Sequence, residues 1–246
     1  MTNEPPLITA GSFQTAWVEA GRCVLGAGGS AANLVAHIKD VTVFDSELHG
    51  RVSSFAKSVG VLPPKDVAYT VFPHTPYWQG KSANEIYSRY NGTGGFYNRS
   101  RKRPHSGWGT YFRRMTHYQR SNGEIVNQLD RVISAIRDWR SPRQAAYAIV
   151  IPQPGPDTAR PEGSPCLNYI APQVTIGNPL TVGLLCVYRN HDFVERAYGN
   201  YWGLCELTKF IARETGAQPG TLTCVSSHAY VPSHRGQMRA FLDSLP

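Results

Sequence analysis

Apolar side chains in the first part of the chain recur at intervals of three and four residues. After Ser12 this spacing predicts a helix that carries Trp17 on its apolar face and ends at the glycine-rich run 26–30. The same spacing predicts a helix over 45–59 and a shorter one over 84–90. This part of the chain is therefore expected to contain three helices.

Strand signals in the same part are shorter. Alternation of apolar and polar positions over 34–44 predicts one strand. Pro63 and Pro64 interrupt the chain, and the apolar run 67–72 that follows them predicts a second, short strand. Helices and strands are therefore expected to alternate here without a repeating order.

The later part of the chain has longer patterns. An amphipathic stretch predicts a helix over 124–139, and a nearly all-apolar stretch that opens at Asn200 predicts a helix that ends near Gly216. Strands are predicted over 145–151, 167–174, 180–188 and 221–225. Because the helix from Asn200 is apolar on nearly every side, it is expected to lie in the core as a central helix.

Composition is that of a folded protein. The chain has 246 residues, of which 41% are hydrophobic and 17% are charged, and this is enough apolar surface for a sizeable core. The length suits one domain, or one domain with an elaborated N-terminal part. The net charge of +8 favours an anionic ligand such as a nucleotide, or a nucleic acid.

Cysteine usage bears on metal binding and on the cellular compartment. The five cysteines form no C-x-x-C pair, so neither a zinc site nor a disulfide framework is indicated and no metal is expected. An odd number of cysteines is typical of a reduced, cytoplasmic protein. The first residues do not have the pattern of a signal peptide, and no apolar run approaches the length of a membrane span, so no membrane association is expected.

Four short motifs in the second half combine residue types that suit one binding site. They are, in chain order, Pro165-Cys166 before a predicted strand, Arg189 with Asp192 after the next strand, Asn200, and His228 with Tyr230. A cysteine can act as a thiol nucleophile, and an arginine can hold a phosphate group. An asparagine amide can read the edge of a base, and the histidine and tyrosine can bind a sugar hydroxyl.

In order and spacing these motifs resemble the thymidylate synthase family, which includes the pyrimidine nucleotide hydroxymethylases. That family has a Pro-Cys nucleophile, a Tyr-x-Arg-Ser-x-Asp strand, an Asn eight residues after that Asp, and a His-x-Tyr motif. Here Arg189 precedes Asp192 by three residues, and Asn200 follows Asp192 by eight. The resemblance covers roughly residues 107–235, and its specificity lies in the ordered set of motifs.

The resemblance also implies a fold. It implies an α+β domain over residues 1–246, with a mixed sheet flanked by helices and a buried central helix. The part over 1–106 is divergent, and the part over 107–246 is the recognisable core. It further implies a homodimer that forms through a face of the sheet, with Arg143 crossing to the phosphate site of the partner.

The function implied by the resemblance is transfer of a one-carbon unit, hydroxymethyl or methyl, to C5 of a pyrimidine nucleotide. The reaction would proceed through a cysteine adduct at C6, with 5,10-methylenetetrahydrofolate as the donor. The resemblance implies that Cys166 is the nucleophile and that Arg189, Asn190 and the partner's Arg143 bind the phosphate. Asn200 would contact the base, and His228 and Tyr230 would bind the sugar. Asp192 and Tyr111 would order the site, and Asp192 would also contact the folate. Asn200 could also be the N-cap of its helix, and Arg143 an ordinary charge at the end of one.

Some positions depart from the family pattern, mostly on the side of the carbon donor. No residue can be matched to the family's glutamate that promotes proton transfer. Gly199 stands where the family has Phe, and Arg196 where it has Gly. A nucleotide is therefore better supported than folate, and a nucleotide-binding or regulatory protein without turnover is the alternative function.

A basic, aromatic segment supports a third interpretation. Residues 99–120 contain many cations and no acidic side chain, with Phe96, Tyr97, Trp108 and Tyr111 in or beside the segment as possible stacking surfaces. The segment could be a solvated loop, a flap that closes on phosphate, or a nucleic-acid contact. Nucleic acid is the least favoured of the three, because no known nucleic-acid-binding motif surrounds the segment.

Overall fold

The computed structural model describes residues 4–95, 108–138, 143–155, 157 and 163–246. The helices are α1 Phe13–Gly26, α2 Ser46–Ser58, α3 Pro64–Val71, α4 His74–Trp78, α5 Ala83–Asn91, α6 Tyr111–Thr116, α7 Gln128–Asp138, α8 Ala197–Thr215 and α9 Arg235–Asp243. The strands are β1 Leu7–Ala10, β2 Ser30–Ile38, β3 Tyr118–Gln119, β4 Ile125–Val126, β5 Ile149–Val150, β6 Leu167–Thr175, β7 Thr181–Tyr188, β8 His191–Asp192 and β9 Gln218–Tyr230. No helix within these residues is both long and apolar enough to cross a membrane.

Seven of the strands form one mixed sheet. Their order is β1-β2-β9-β7-β6-β5, and β8 pairs with β9 beside this path. Strand β9 runs parallel to β7 and β8 and antiparallel to β2, and β6 is antiparallel to both β5 and β7. The expected α+β architecture, a mixed sheet flanked by helices, is confirmed at this level.

The three helices predicted in the first part are confirmed, and polar side chains define where each one begins. The hydroxyl of Ser12 accepts the backbone N–H of Thr15 at the start of α1. The carboxylate of Asp45 accepts two backbone N–H groups at the start of α2, and Ser82 forms a capping box at the start of α5. Such caps satisfy donors that the first turn of a helix leaves without partners.

The central helix α8 is confirmed, and it begins earlier than predicted. Its apolar side chains are fully buried, and Gly216 ends it with a φ of 72°, a conformation that glycine adopts without strain. The helix begins at Ala197, and the backbone N–H of Asn200 donates to the carbonyl of Arg196 at 2.9 Å. Asn200 therefore lies inside the first turn, and its interpretation as an N-cap is wrong.

The strand predicted over 67–72 is wrong, because this segment is helix α3. A proline fits the first position of a helix, since the N–H that it lacks would have no partner there. Pro64 therefore begins α3, and Val67, Ala68 and Val71 form its buried face. The run was too short for its period to distinguish a helix from a strand, and packing against α8 decides between them.

Helices α3 and α8 approach each other closely at two glycines of α8. A Cβ atom at Gly199 would lie 2.5 Å from Cβ of Val67 and 2.7 Å from the carbonyl oxygen of Pro64. A Cβ atom at Gly203 would lie 2.7 Å from the carbonyl oxygen of Ala68. The departure from the family pattern at Gly199 is therefore explained by packing, because α3 occupies the space that a larger side chain would need.

Replacing Gly199 with alanine should lower the free energy of unfolding by about 1–3 kcal/mol, because the added methyl group must push α3 away from α8. Urea unfolding curves of the variant and the wild type measure the effect. The control is Gly50→Ala in the exposed part of α2, where nothing lies within 4 Å of the added atom. That variant should be as stable as the wild type or more so by up to about 1 kcal/mol. Equal stability of the Gly199 variant and the control would contradict the close packing.

Several other boundaries differ from the predictions. The helix predicted over 124–139 begins at Gln128, because Ile125 and Val126 pair with Gln119 and Tyr118 in a small hairpin. Trp139 lies outside the described residues. The strand predicted over 145–151 is reduced to Ile149–Val150, after a turn of 3-10 helix at Gln144–Ala146. Strand β2 ends at Ile38, and β9 is longer than predicted because it continues through Tyr230.

The two faces of the sheet differ in burial. The face that packs on α8 carries side chains that are at most 2% exposed, among them Leu184, Cys186, Tyr188, Leu222 and Cys224. The alternate positions of neighbouring strands form a second face, where Val35, Leu185, Val187 and Val225 are only half-buried and Tyr169 is 36% exposed. These five residues are called the open face below.

Candidate functional site

Cys166 and Arg189 lie side by side, where β6 begins and β7 ends. The backbone N–H of Arg189 donates to the carbonyl of Cys166 at 2.8 Å. The guanidinium of Arg189 donates to the carbonyls of Ser164 at 3.0 Å and Pro165 at 3.2 Å. The arginine is therefore held against the loop that presents Cys166, and its charge is close enough to affect the thiol.

Burial and charge act in opposite directions on the Cys166 thiol. Burial is the larger effect and raises the pKa above its ordinary value, the guanidinium groups of Arg189 and Arg196 lower it in part, and the carboxylate of Asp192 raises it further. The thiolate is the nucleophilic form of cysteine, so the two arginines favour the reactive state. Arg196 was not predicted as a site residue, and the only signal for it was a cation four residues after Asp192, just before the buried helix.

Tyr111 lies against the same loop. It is fully enclosed at the start of α6, where the Thr110 hydroxyl accepts the backbone N–H of Arg113. Burial and the nearby Cys166 thiol raise the pKa of Tyr111, whereas hydrogen bonds with the backbones of Leu167 and Cys166 lower it. The phenol is therefore protonated at neutral pH and lies next to the cysteine.

Asp192 is oriented by the backbone that follows it. Its Oδ1 accepts the N–H of Val194 at 2.8 Å and of Glu195 at 3.0 Å. Burial raises the pKa of Asp192, while these two backbone hydrogen bonds lower it. Strand β8 places Asp192 opposite Tyr230 of β9. The carboxylate therefore reaches the Cys166 region in a fixed orientation, with Oδ1 already engaged.

Asn190, His228 and Tyr230 form a second polar group at the end of β9. His228 donates from Nδ1 to Oδ1 of Asn190 at 2.7 Å, and its Nε2 is 2.9 Å from the hydroxyl of Ser30. The rings of His228 and Tyr230 stack with centroids 5.1 Å apart. Ser30, the last residue of the glycine-rich run 26–30, was not predicted as a site residue, and the structure places it at the start of β2, paired with Tyr230.

Asn200 lies one layer deeper than these groups and is 2% exposed. Its side-chain N–H donates to Nε2 of His191 at 3.1 Å, and its Oδ1 is buried without a hydrogen-bond partner. An unpartnered buried oxygen costs about 1–3 kcal/mol. His191 was not predicted as a site residue, although it lies within the Arg189–Asp192 motif.

A buried ion pair anchors the loop before Cys166. Arg114 of α6 binds Asp157 through two contacts, of 2.7 and 3.1 Å, and the side chains of both residues are 6% exposed. Asp157 also accepts the backbone N–H of Gln153 at 2.6 Å, and its carbonyl accepts the hydroxyl of Ser164 at 2.9 Å. The pair therefore connects the helix of Tyr111 to the segment that carries Cys166.

Arg143 does not join this site within one chain. The next residue, Gln144, hydrogen-bonds both backbone groups of Val174, near the far end of β6 from Cys166. At about 3.3 Å per residue, eight residues of strand span roughly 25 Å. The structure therefore brings Tyr111, Cys166, Arg189, Asn190, Asp192, Asn200, His228 and Tyr230 to one end of the sheet, and leaves Arg143 at the other.

Phe96, Tyr97 and the charge run over 99–105 lie outside the described residues, whereas residues 108–120 of the basic segment are described. At the described end of the segment, the Trp108 and Tyr111 rings pack with centroids 4.9 Å apart. The other cysteines differ from Cys166 in position, since Cys186, Cys205 and Cys224 are buried and Cys23 lies on α1. Among the described residues no group of three or more His, Cys, Asp or Glu side chains could hold a metal ion.

Comparison with known proteins gives partial matches. No family model matches the chain. A protein of Methanosarcina mazei named "Putative thymidylate synthase" is 31% identical over 129 residues, which is 52% of this chain and 55% of that protein. Proteins with the same name from Methanosarcina acetivorans and Methanococcoides burtonii are 29% and 31% identical over 129 and 109 residues.

These matches are limited in extent. The segment matched in the first two is 52% of this chain and 55% of each relative, and in the third it is 44% of this chain and 48% of the relative. The chain thus spans about half the length of the curated relatives it matches. Together with the site geometry, these relatives support a divergent relationship to proteins of the thymidylate synthase type.

Proposed function

We propose that this protein transfers a one-carbon unit to C5 of a pyrimidine nucleotide through a cysteine adduct at C6. The observation that carries the proposal is the position of Cys166. Burial raises the pKa of its thiol, the guanidinium groups of Arg189 and Arg196 oppose that rise, and Asp192 and Tyr111 are close by. The relatives named for thymidylate synthase support the same reaction class. We further propose that residues 1–246 form one domain.

C5 of a pyrimidine is a poor nucleophile, and addition of Cys166 to C6 would make it reactive. The thiolate of Cys166 forms a bond to C6 with its own electron pair, and the pair of the C5–C6 double bond moves to C5 and O4 as an enolate. C5 can then bond to a one-carbon electrophile at the oxidation level of formaldehyde. Loss of the C5 proton to water and departure of the thiolate from C6 restore the double bond, so the cysteine is regenerated. With water the product is a hydroxymethyl group, whereas a methyl product would also need a two-electron reductant, which the reduced folate would supply.

The nucleotide would be held by the residues that surround the thiol. Arg189 and Asn190 would contact the phosphate, and Asn200 would contact the base. His228 and Tyr230 would bind the sugar, with Ser30 orienting His228 from the other side of the ring. Holding C5 and C6 beside the thiol accounts for much of the rate in such a reaction, because it removes the entropy cost of encounter.

The donor side of the site fits methylenetetrahydrofolate only in part. When bound, this cofactor supplies the one-carbon unit. Asp192 fits the pterin ring, since its Oδ1 is held by backbone N–H groups and the carboxylate lies near Cys166. The surface of α8 at Gly199 is covered by α3, so that surface is closed to a donor. Asp192 is therefore the residue that we assign to the cofactor.

We also propose a homodimer in which the open face is the interface and the partner subunit's Arg143 completes the phosphate site. Two observations support it. Half-buried apolar side chains cross four neighbouring strands of the open face, and Arg143 lies far from Cys166 within one chain. A second copy packed on this face would cover the apolar side chains and could bring that arginine to the phosphate.

Replacing Val187 with aspartate should convert the dimer into a monomer, because an unpaired carboxylate in an apolar interface costs several kcal/mol. Sedimentation velocity measures the change in mass. Val43→Asp is the control, since Val43 is 45% exposed and lies outside the sheet, and this variant should remain dimeric. A monomeric wild-type protein, or a dimer that persists in the Val187 variant, would count against the proposed interface.

The proposed function is tested with dUMP, UMP, dCMP and CMP, each labelled with tritium at C5. Release of tritium into water, with and without methylenetetrahydrofolate, reports addition of the thiolate to C6. Product analysis by mass spectrometry then distinguishes a methyl from a hydroxymethyl product. Tritium release from one of the four nucleotides is the expected result, and no release from any of them would overturn the proposal.

The second candidate function is nucleotide binding without turnover. Burial raises the pKa of the Cys166 thiol, which favours the unreactive form in the free protein. The family's glutamate for proton transfer also has no counterpart in the sequence. This candidate predicts that a nucleotide raises the melting temperature while no C5 tritium is released.

A further inference from the structure

Ser226, His191 and Asn200 form a buried hydrogen-bonded chain beneath the proposed nucleotide site. Nδ1 of His191 is 2.9 Å from the hydroxyl of Ser226, and Nε2 is 3.1 Å from the side-chain nitrogen of Asn200. His191 is 1% exposed and stacks on Tyr188 with ring centroids 4.0 Å apart and 4° between the planes. The imidazole therefore has one position and two polar partners.

The direction of the Asn200 amide and the tautomer of His191 are linked. Burial lowers the pKa of His191 to about 3, so the ring is neutral at physiological pH. A neutral imidazole has one donor nitrogen and one acceptor nitrogen. With the nitrogen of Asn200 facing Nε2, Nε2 accepts and the proton is on Nδ1, where the hydroxyl of Ser226 can accept it.

In this arrangement the side-chain nitrogen of Asn200 faces His191. One hydrogen of that nitrogen is donated to His191, so the second hydrogen and Oδ1 remain for another partner. Oδ1 is buried and accepts no hydrogen bond. With the other tautomer of His191 the amide would turn over, so that its oxygen would face the histidine and its nitrogen would occupy the position of Oδ1.

We propose that His191, as the acceptor that the Asn200 amide nitrogen faces, is a specificity-determining residue that makes the site select uracil over cytosine. The proposal rests on the proposed function, because it requires that Asn200 contacts the base. Oδ1 of Asn200 accepts the N3–H of uracil, and the second amide hydrogen donates to O4. In cytosine N3 is an acceptor and N4 carries hydrogens, so both contacts become repulsive.

The burial of Asn200 adds to the selection. Asn200 is 2% exposed, and its Oδ1 has no partner in the free protein. A base that supplies N–H to Oδ1 removes the cost of that unpartnered oxygen, whereas a base that cannot supply N–H leaves the cost in place. Selection between bases is therefore expected to be strong in the wild-type protein.

The test measures the dissociation constants of dUMP and dCMP, and of UMP and CMP, by titration calorimetry on the full chain. The variants are Ser226→Ala, which leaves Nδ1 without its partner and so favours the proton on Nε2, and His191→Phe, which keeps the stacked ring and removes both nitrogens. In each variant the preference for uracil over cytosine should fall about 10-fold or more, in line with the loss of one oriented hydrogen bond.

A matched control is available on α2. The hydroxyl of Ser53 is 3.5 Å from Nε2 of His49, a serine and histidine contact outside the sheet. Ser53→Ala should leave the preference unchanged. A preference that stays at the wild-type value in both test variants, with folding verified by circular dichroism, would overturn the proposal.

The tautomer can be observed independently of any ligand. Nitrogen-15 chemical shifts of the His191 ring should show protonated Nδ1 and unprotonated Nε2 in the free protein. Protonated Nε2 would overturn the inference even if the nucleotide binds. If neither nucleotide binds to wild-type protein while the shifts are as expected, the proposed function fails, and with it the claim about base selection, whereas the orientation of Asn200 stands.

Discussion

Replacing Cys166 with alanine should reduce C5 tritium release by more than about 1,000-fold, because removing a nucleophile abolishes the covalent route. Binding of the nucleotide should persist, since phosphate, sugar and base are assigned to other side chains. The backbone of Cys166 should also stay in place, because its carbonyl still accepts the N–H of Arg189 and the loop is held by the guanidinium. Tritium release and calorimetric titration together separate loss of chemistry from loss of binding.

The matched control is Cys23→Ala, because Cys23 and Cys166 are the two cysteines that are not fully buried. Cys23 lies on α1 and is not among the groups that act on the Cys166 thiol, so this variant should release tritium at the wild-type rate. Equal loss in both variants would indicate general damage. Wild-type release in the Cys166 variant would show that another group attacks C6, and the assignment of the nucleophile would then be withdrawn.

Replacing Asp157 with alanine should lower the free energy of unfolding by about 3–5 kcal/mol, because Arg114 is left buried without its counter-ion. The side chains of both residues are 6% exposed, and Arg114 also donates to the carbonyl of Trp108. The variant should in addition lose tritium release, since the segment that presents Cys166 is tied to Asp157 through Ser164. Urea unfolding measures the first effect and the tritium assay the second.

An exposed ion pair provides the comparison. Arg120 and Glu124 form a contact of 2.8 Å with about half of each side chain exposed, and such pairs contribute about 0–1 kcal/mol. Glu124→Ala should therefore change stability little. The double variant Arg114→Met with Asp157→Leu should recover part of the stability, because it leaves no unpaired charge. A small effect of Asp157→Ala, similar to that of Glu124→Ala, would contradict the burial of the pair.

Local signals were sufficient for much of the fold. Helices α1, α2 and α5 begin at Ser12, Asp45 and Ser82, where a short polar side chain satisfies the N–H groups of the first turn. Helix α8 could be predicted as central because it is apolar on nearly all sides, and such a helix must be buried. These features depend on residues that are neighbours along the chain, so they can be predicted from the sequence.

Signals that depend on partners elsewhere in the chain were missed or misread. The segment 67–72 is a helix because Val67 packs on Gly199, more than 100 residues away. The contact of Ser30 with His228 depends on the antiparallel pairing of β2 with β9. Periodicity over six residues carries too little information to choose between helix and strand, and the choice is made by the surface on which the segment packs.

The candidate site shows the same difference between local signals and contacts that are distant along the chain. The ordered motifs and their family resemblance predicted that Cys166, Arg189, Asp192 and Asn200 share one site, and the structure places them at one end of the sheet. Which charges act on the thiol, and which atoms of Asn200 remain available, depend on Arg196 and His191, and no sequence pattern marks those two residues. Electrostatic influence and amide orientation are set by distances of a few ångströms between separate elements, and only the folded chain defines those distances.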